Sequence, residues 1–373
     1  MQEFIPLMVP DIQETDITQV VEVLRSGMLV QGKKVAQFER HIEEFLQIKN
    51  AVAVANGTAS LHLALVALGI GEGDEVIVPA FSYIATANVV EIVKAKPVFV
   101  DIKITDFNID ATRIEQAITP KTKALIVVHE FGLACDITQI IAIAKKHNLK
   151  IIEDAACALG ATENNQNIGT FGDVASFSLH PRKAITCGEG GILVTNNSAL
   201  AQLFTCLRNH GIEMDNSKME FIAAGFNYRM TDFQAALVNN QLQRLPTTLE
   251  YKRKLATVYL DELKNIATLQ LPQVEPHKTH TWQTFHVVLD KSLHRNDCIA
   301  YMKEKQVGTN NGAQCMPAQK YYTNKYQLDC RALYPNAMNA YEQGLALPLY
   351  ERMSEVDVRY VATQLKQFIQ QHH

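Results

Sequence analysis

The sequence predicts an α/β protein, with a large domain on a mostly parallel, doubly wound sheet and a smaller carboxy-terminal α/β domain. Three observations carry this expectation. Short apolar runs alternate with helix-like stretches through the first part of the chain. Several of those runs are β-branched with little polar alternation, as strands buried on both faces must be. After about residue 231 the pattern changes to long charged helices and sparse strands.

The elements follow in order. "AVAVANG" (51–57) is an apolar run ended by Asn-Gly, and "TASLHLALVALG" after it reads as a helix. Strands are expected at "EVIVPA" (75–80), "KPVFVDI" (96–102), "KALIVVHE" (123–130), "LKIIEDAA" (149–156), "VASFSL" (174–179) and "GILVTN" (191–196). "DITQIIAIAKKHN" (136–148) reads as a connecting helix, so strand, helix and strand in series predict right-handed crossovers. "TDFQAALVNNQLQRL" and "TTLEYKRKLATVYLDELKN" read as two long helices, followed by a strand within "WQTFHVVLD" (282–290). The expected division is a large domain over 1–246, including the amino-terminal segment, and a small one over 247–373.

Composition bounds the function. The 373 residues are 47% hydrophobic and 20% charged, as in ordinary folded soluble proteins. A net charge of −4 without a polybasic field argues against nucleic acid or an acidic membrane as partner. No run approaches the roughly 20 apolar residues of a membrane span. "MQEFIPLMVP" lacks the basic start and apolar block of a secretion signal, so a cytoplasmic protein is expected. The 7 cysteines form no CxxC pair and read as reduced thiols.

In an open α/β sheet, ligands bind beyond the carboxyl ends of the strands. "NGTAS" after the first strand opens a helix whose amino end favours an anion such as phosphate, through the amides of Thr58 and Ala59. The same residues also suit an ordinary turn with Thr58 as N-cap. Glu153 and Asp154 end another buried strand, where acids serve as a helix cap, a metal pair or the partner of a cationic ring nitrogen. No HExxH or DxD-like cluster accompanies them, so no metal site is expected. "SFSLHPRKAITCGEGG" (176–191) places His180, Arg182 and Lys183 within one loop, 29 positions after Asp154.

Taken together, "NGTASLHLAL", "VPAFSYIATANVV", "IIEDAACALGA", "FSLHPRKAITCGEGG" and "GFNYRMTDFQAAL" resemble the DegT/DnrJ/EryC1/StrS sugar aminotransferases, pyridoxal-phosphate (PLP) enzymes of the aspartate-aminotransferase fold (fold type I). The resemblance implies that Lys183 is the Schiff-base lysine and that Asp154 pairs with the pyridine nitrogen. It assigns Gly57, Thr58, Ala59 and Ser178 to the phosphate, Tyr83 to the ring face, and Asn227 to the phosphate of a partner subunit in a homodimer with shared sites. His180 and Arg229 become candidates for substrate contact. Cys157 stands among the cofactor residues where the family commonly has Gln or His, and a thiol is a weak donor. Leu133 stands where Gln is frequent, and "GTNNGAQCMPAQKYY" lacks a histidine many members carry.

The implied reaction transfers the amino group of L-glutamate to a nucleotide-linked 4-keto-6-deoxy sugar, for a bacterial surface polysaccharide such as an O-antigen. "SYIATANVV" looks more like members acting at C4 than at C3. A nucleotide-3-keto-sugar aminotransferase is the nearest alternative. A pyridoxamine-dependent dehydratase of the same family would carry histidine in place of Lys183. A binding protein without turnover would not need the lysine, the acid and the phosphate groups together. No strand is followed by GxGxxG, which argues against a nicotinamide dehydrogenase.

Overall fold

The computed structural model describes residues 3–216 and 218–372. Its centre is a seven-stranded sheet of β1 (Asn50–Val54), β2 (Glu75–Pro79), β3 (Lys96–Val100), β4 (Thr122–Val128), β5 (Lys150–Asp154), β6 (Val174–Ser178) and β7 (Gly191–Thr195). The spatial order is β1-β7-β6-β5-β4-β2-β3. Pairing is parallel from β6 across to β3, whereas β7 runs antiparallel to both of its neighbours, β6 and β1. Two reversals restore the direction, so β1 points the same way as β4, β5 and β6. All of their carboxyl ends therefore lie on one edge.

Both faces of the sheet are covered, which is why the strands lack polar alternation. Val52, Val54, Val76 and Val78 enter one core. Ala51 and Ala53 face a second, and Ile77, Leu125 and Val127 a third. The helices Gly57–Ala67 (α1) and Ala85–Ile92 (α2) cover the first face, and Ile137–His147 (α3) lies with the third core. The strand-to-strand link between β6 and β7 contains no helix, unlike the expected crossovers. It is the loop 179–190, and it carries Lys183 to the sheet edge.

The two expected long helices are one, α4 (Asp232–Leu263), with Pro246 inside it. The expected domain boundary thus falls within a continuous helix. Proline removes an amide and crowds the preceding turn, at a cost of about 3 kcal/mol. Here both halves are anchored: Val238, Leu242 and Leu245 in the core that also takes Ala51 and Ala53, and Leu255, Ala256 and Tyr259 in a second core toward the carboxy terminus. That second core is built on a small antiparallel sheet of β8 (Leu269–Gln270), β9 (Phe285–Leu289) and β10 (Gly344–Leu347). Ile5 joins this core and bridges to Val307, whereas Asp11, Thr15 and Asp16 bond to Asn240 and Arg244 in the first half of α4. Among the described residues, no helix is long and apolar enough to cross a membrane.

Candidate active site

The carboxyl ends of β1, β4, β5 and β6 open into a cavity of about 750 Å³. Its wall includes Gly57, Thr58, Ala59, Tyr83, Asp154, Cys157, Ser178, His180, Arg182 and Lys183, so ten of the residues singled out in the sequence meet there.

The turn after β1 sets one side. Asn56, not Thr58, is the N-cap of α1, and its Oδ1 accepts from the Ala59 amide at 2.8 Å. The Ala59 amide expected to bind an anion is therefore already taken. The first-turn amides without an intrahelical acceptor are those of Gly57 and Thr58. A Cβ on Gly57 would lie 2.9 Å from the Ser178 Cβ, so only glycine lets this turn close on the end of β6. The free amides and the Ser178 hydroxyl make a cradle that suits a phosphate.

Period-two alternation separates the adjacent acids. Glu153 points away from the cavity, where it accepts from the amides of Gly169, Phe171 and Gly172 and contacts the His129 ring at 3.0 Å. It holds a loop. Asp154 faces the cavity, accepting from the Thr86 hydroxyl at 2.8 Å and the Ala156 amide at 3.3 Å. Burial raises its pKa against the opposing effects of Thr86 and Lys183. A buried carboxylate so thinly partnered fits a cation brought by a ligand, and a protonated pyridine nitrogen is such a cation. Among the described residues, no cluster of three or more His, Cys, Asp or Glu is placed to hold a metal.

Lys183 Nζ donates to the Cys157 sulfur at 3.1 Å. Burial works to lower the amine's pKa, but Cys157, Asp154 and Glu130 together raise it. Burial pushes the Cys157 thiol up, so it stays protonated. Arg182 is exposed, while His180 is half-buried with its pKa lowered by burial, and its Nδ1 accepts from the Arg182 amide at 3.3 Å. Tyr83 is 66% exposed although it lines the cavity, so it is not a tyrosine packed beneath its loop.

Asn227 and Arg229 do not line this cavity. Asn227 is exposed, and Arg229 donates to Asn209 Oδ1 at 2.7 Å. Tyr228 between them does reach the wall and meets the His62 ring at 3.1 Å. Leu133, which stands where Gln is frequent in the family, is 2% exposed and does not line this cavity. Sequence reasoning missed Glu130, which lines the cavity beyond the end of β4. The rule that directs attention to strand ends applies to it as much as to Asp154.

The sequence model of the DegT/DnrJ/EryC1/StrS aminotransferase family matches residues 10–366. The chain is 37% identical to the spore coat polysaccharide biosynthesis protein SpsC of Bacillus subtilis, over 95% of this chain and 94% of that protein. Its fold matches Spr1654 of Streptococcus pneumoniae, assigned to the sugar aminotransferases and solved in PLP and pyridoxamine-phosphate forms. For the latter form the TM-score is 0.94 at 30% identity, covering 99% and 98% of the two chains. It also matches PseC of Helicobacter pylori, an aminotransferase involved in the biosynthesis of pseudoaminic acid, with a TM-score of 0.93 at 25% identity and 99% and 100% coverage.

Proposed function

The chain belongs to the DegT/DnrJ/EryC1/StrS aminotransferase family, and on that premise we propose that this PLP-dependent sugar aminotransferase moves the amino group of L-glutamate onto a nucleotide-linked 4-keto-6-deoxy sugar for a surface polysaccharide. The observation that carries this reading is the convergence of Lys183, Asp154 and the open amino end of α1 on one cavity. Its volume, about 750 Å³, suits a cofactor together with a substrate.

When bound, the cofactor supplies an electron-accepting ring that stabilises charge developing at the substrate carbon. The Gly57 and Thr58 amides, the helix end and Ser178 bind its phosphate. Asp154, steered by Thr86, keeps the ring nitrogen protonated. Lys183 is the amine that would hold the cofactor covalently, and its Nζ would carry the proton at the donor's α-carbon. Its neighbours Asp154 and Cys157 hold that amine in reach of the reacting atoms. Tyr83 covers the ring face. His180 lies where a substrate group enters.

The working form in this reading is a cytoplasmic homodimer, with Asn227 and Arg229 reaching the partner's site. The support is that Asn227 is exposed and does not line its own cavity, and that large apolar side chains stand exposed nearby in sequence, with Met219 at 55% and Phe221 at 69%. Met28 and Val30, at 68% and 67% exposure, add to the uncovered apolar surface.

The test is spectroscopic. PLP-loaded protein should lose its lysine-linked absorbance on addition of L-glutamate and regain it with nucleotide-linked 4-keto sugars. No response to L-glutamate would overturn the donor, and recovery only with 3-keto sugars would overturn the C4 assignment.

A further inference from the structure

Glu130 follows the end of β4, next to the end of β5 that carries Asp154. It lines the cavity, is 5% exposed, and its Oε2 is buried without a hydrogen-bond partner among the described residues. The groups acting on its carboxyl come from separate elements: the Ser82 hydroxyl, Asp154 at the end of β5 and Lys183 on the loop 179–190. Cys157 in turn feels Glu130 and Lys183. A buried carboxyl oxygen with no partner is costly, so its place in a ligand cavity needs a reason.

The ligand chemistry supplies one. The cofactor bonds Lys183 through the carbon on ring position 4, and its hydroxyl sits on the adjacent position 3. The phosphate-bearing carbon flanks position 4 on its other side; with Ser178 of the phosphate cradle at the end of β6, groups beside Lys183 Nζ toward β5 and β4 are those that would meet the ring hydroxyl. Cys157 is one, 3.1 Å from Nζ, but a protonated thiol hydrogen-bonds weakly. Glu130 is another, acting on Lys183 together with Asp154, whose place in this reading is at the ring nitrogen.

We infer that Glu130 is a cofactor-site residue, the hydrogen-bond partner of the cofactor's ring hydroxyl beside Lys183. This rests on the reading of Lys183 as the cofactor-bonding amine. Burial raises the Glu130 carboxyl to about 7, so near neutral pH it can arrive carrying a proton to donate. It then does what Cys157 does poorly.

The experiment compares wild type, Glu130→Gln, which keeps a donor, and Glu130→Leu, which keeps bulk without one. Each is titrated with PLP, and the absorbance of the lysine-linked form is followed against pH. The Leu variant should bind PLP about ten- to a hundredfold more weakly, the loss expected for a hydrogen bond to a charged group, and show a displaced absorbance titration. The Gln variant should stay within about threefold of wild type in affinity. Because Gln does not ionise, its absorbance titration should also be displaced from that of wild type, a readout that stands even if the Leu variant fails to fold. Adding Cys157→Gln to the Leu variant should restore affinity.

Unchanged affinity and titration in the Leu variant would overturn the inference. So would a Gln variant with the wild-type titration, or a defect confined to KM for the keto sugar. Lys183→Ala is the control: if it retained the lysine-linked absorbance, the reading of Lys183 would fail first, and this inference with it.

Discussion

Lys183 and Cys157 are 26 positions apart in sequence, yet the amine donates to the thiol at 3.1 Å. The contact joins the loop between β6 and β7 to the turn after β5, and it aims Nζ into the cavity shared with Asp154. Replacing Lys183 with alanine removes the covalent link and the proton carrier together. Turnover should fall below about a thousandth of wild type, while the phosphate cradle still holds some PLP noncovalently. Steady-state rates with both substrates saturating check this, and near-normal activity would refute the assignment.

Asp154→Asn keeps the shape and removes the charge that holds the ring nitrogen's proton. PLP should still bind, but the single-turnover rate with L-glutamate should drop about a hundredfold or more. An unchanged rate would move the role to another residue.

Gly57→Ala places a Cβ 2.9 Å from the Ser178 Cβ, closer than side chains approach, so the turn must shift. The variant should lose about 1–3 kcal/mol of stability and bind inorganic phosphate and PLP more weakly. Denaturation of the unliganded protein and a PLP titration measure both. Full retention of both would show that the turn yields without cost.

Glu130 links pH to stability in the unliganded protein. Burial raises its folded value from 4.5 to about 7. Between those values the unfolded chain releases the proton while the folded chain keeps it, so the folded state loses stability as pH rises. The contribution is fully present below about 4.5 and lost above about 7. Glu130→Gln cannot titrate. Its stability should match wild type near pH 4.5 and exceed it above pH 7, by up to about 3 kcal/mol. A difference that stays constant across pH would contradict this.

The shared-site reading predicts complementation. Lys183→Ala subunits mixed with Asn227→Asp/Arg229→Ala subunits, each nearly inactive alone, should give hybrids with one intact site in two. Activity per verified heterodimer should return to about half of wild type, by that count of sites. Hybrids with no recovery would place Asn227 and Arg229 outside the partner's site.

Much of this was legible in one dimension because local physics wrote it there. Strands buried on both faces must be apolar throughout, so all seven central strands stand out as runs such as "EVIVP" and "GILVT". Lys183, Asp154 and the Asn-Gly turn sit just past strand ends, and position along the chain is enough to nominate them. Tertiary structure decided the rest. The reversal of β7 depends on which neighbours it pairs with, and an apolar run carries no mark of strand direction. Helix α4 runs through Pro246 because two separate cores hold its halves, an effect no window of residues contains. Asp154 and Glu153 are chemically alike and adjacent, and only the pleat sends one to the cavity and the other to a loop clamp. Glu130 is the sharpest case. A carboxyl's proton affinity is set by desolvation and by charges summed over its surroundings, and those charges come from Asp154 and Lys183, brought beside it by folding.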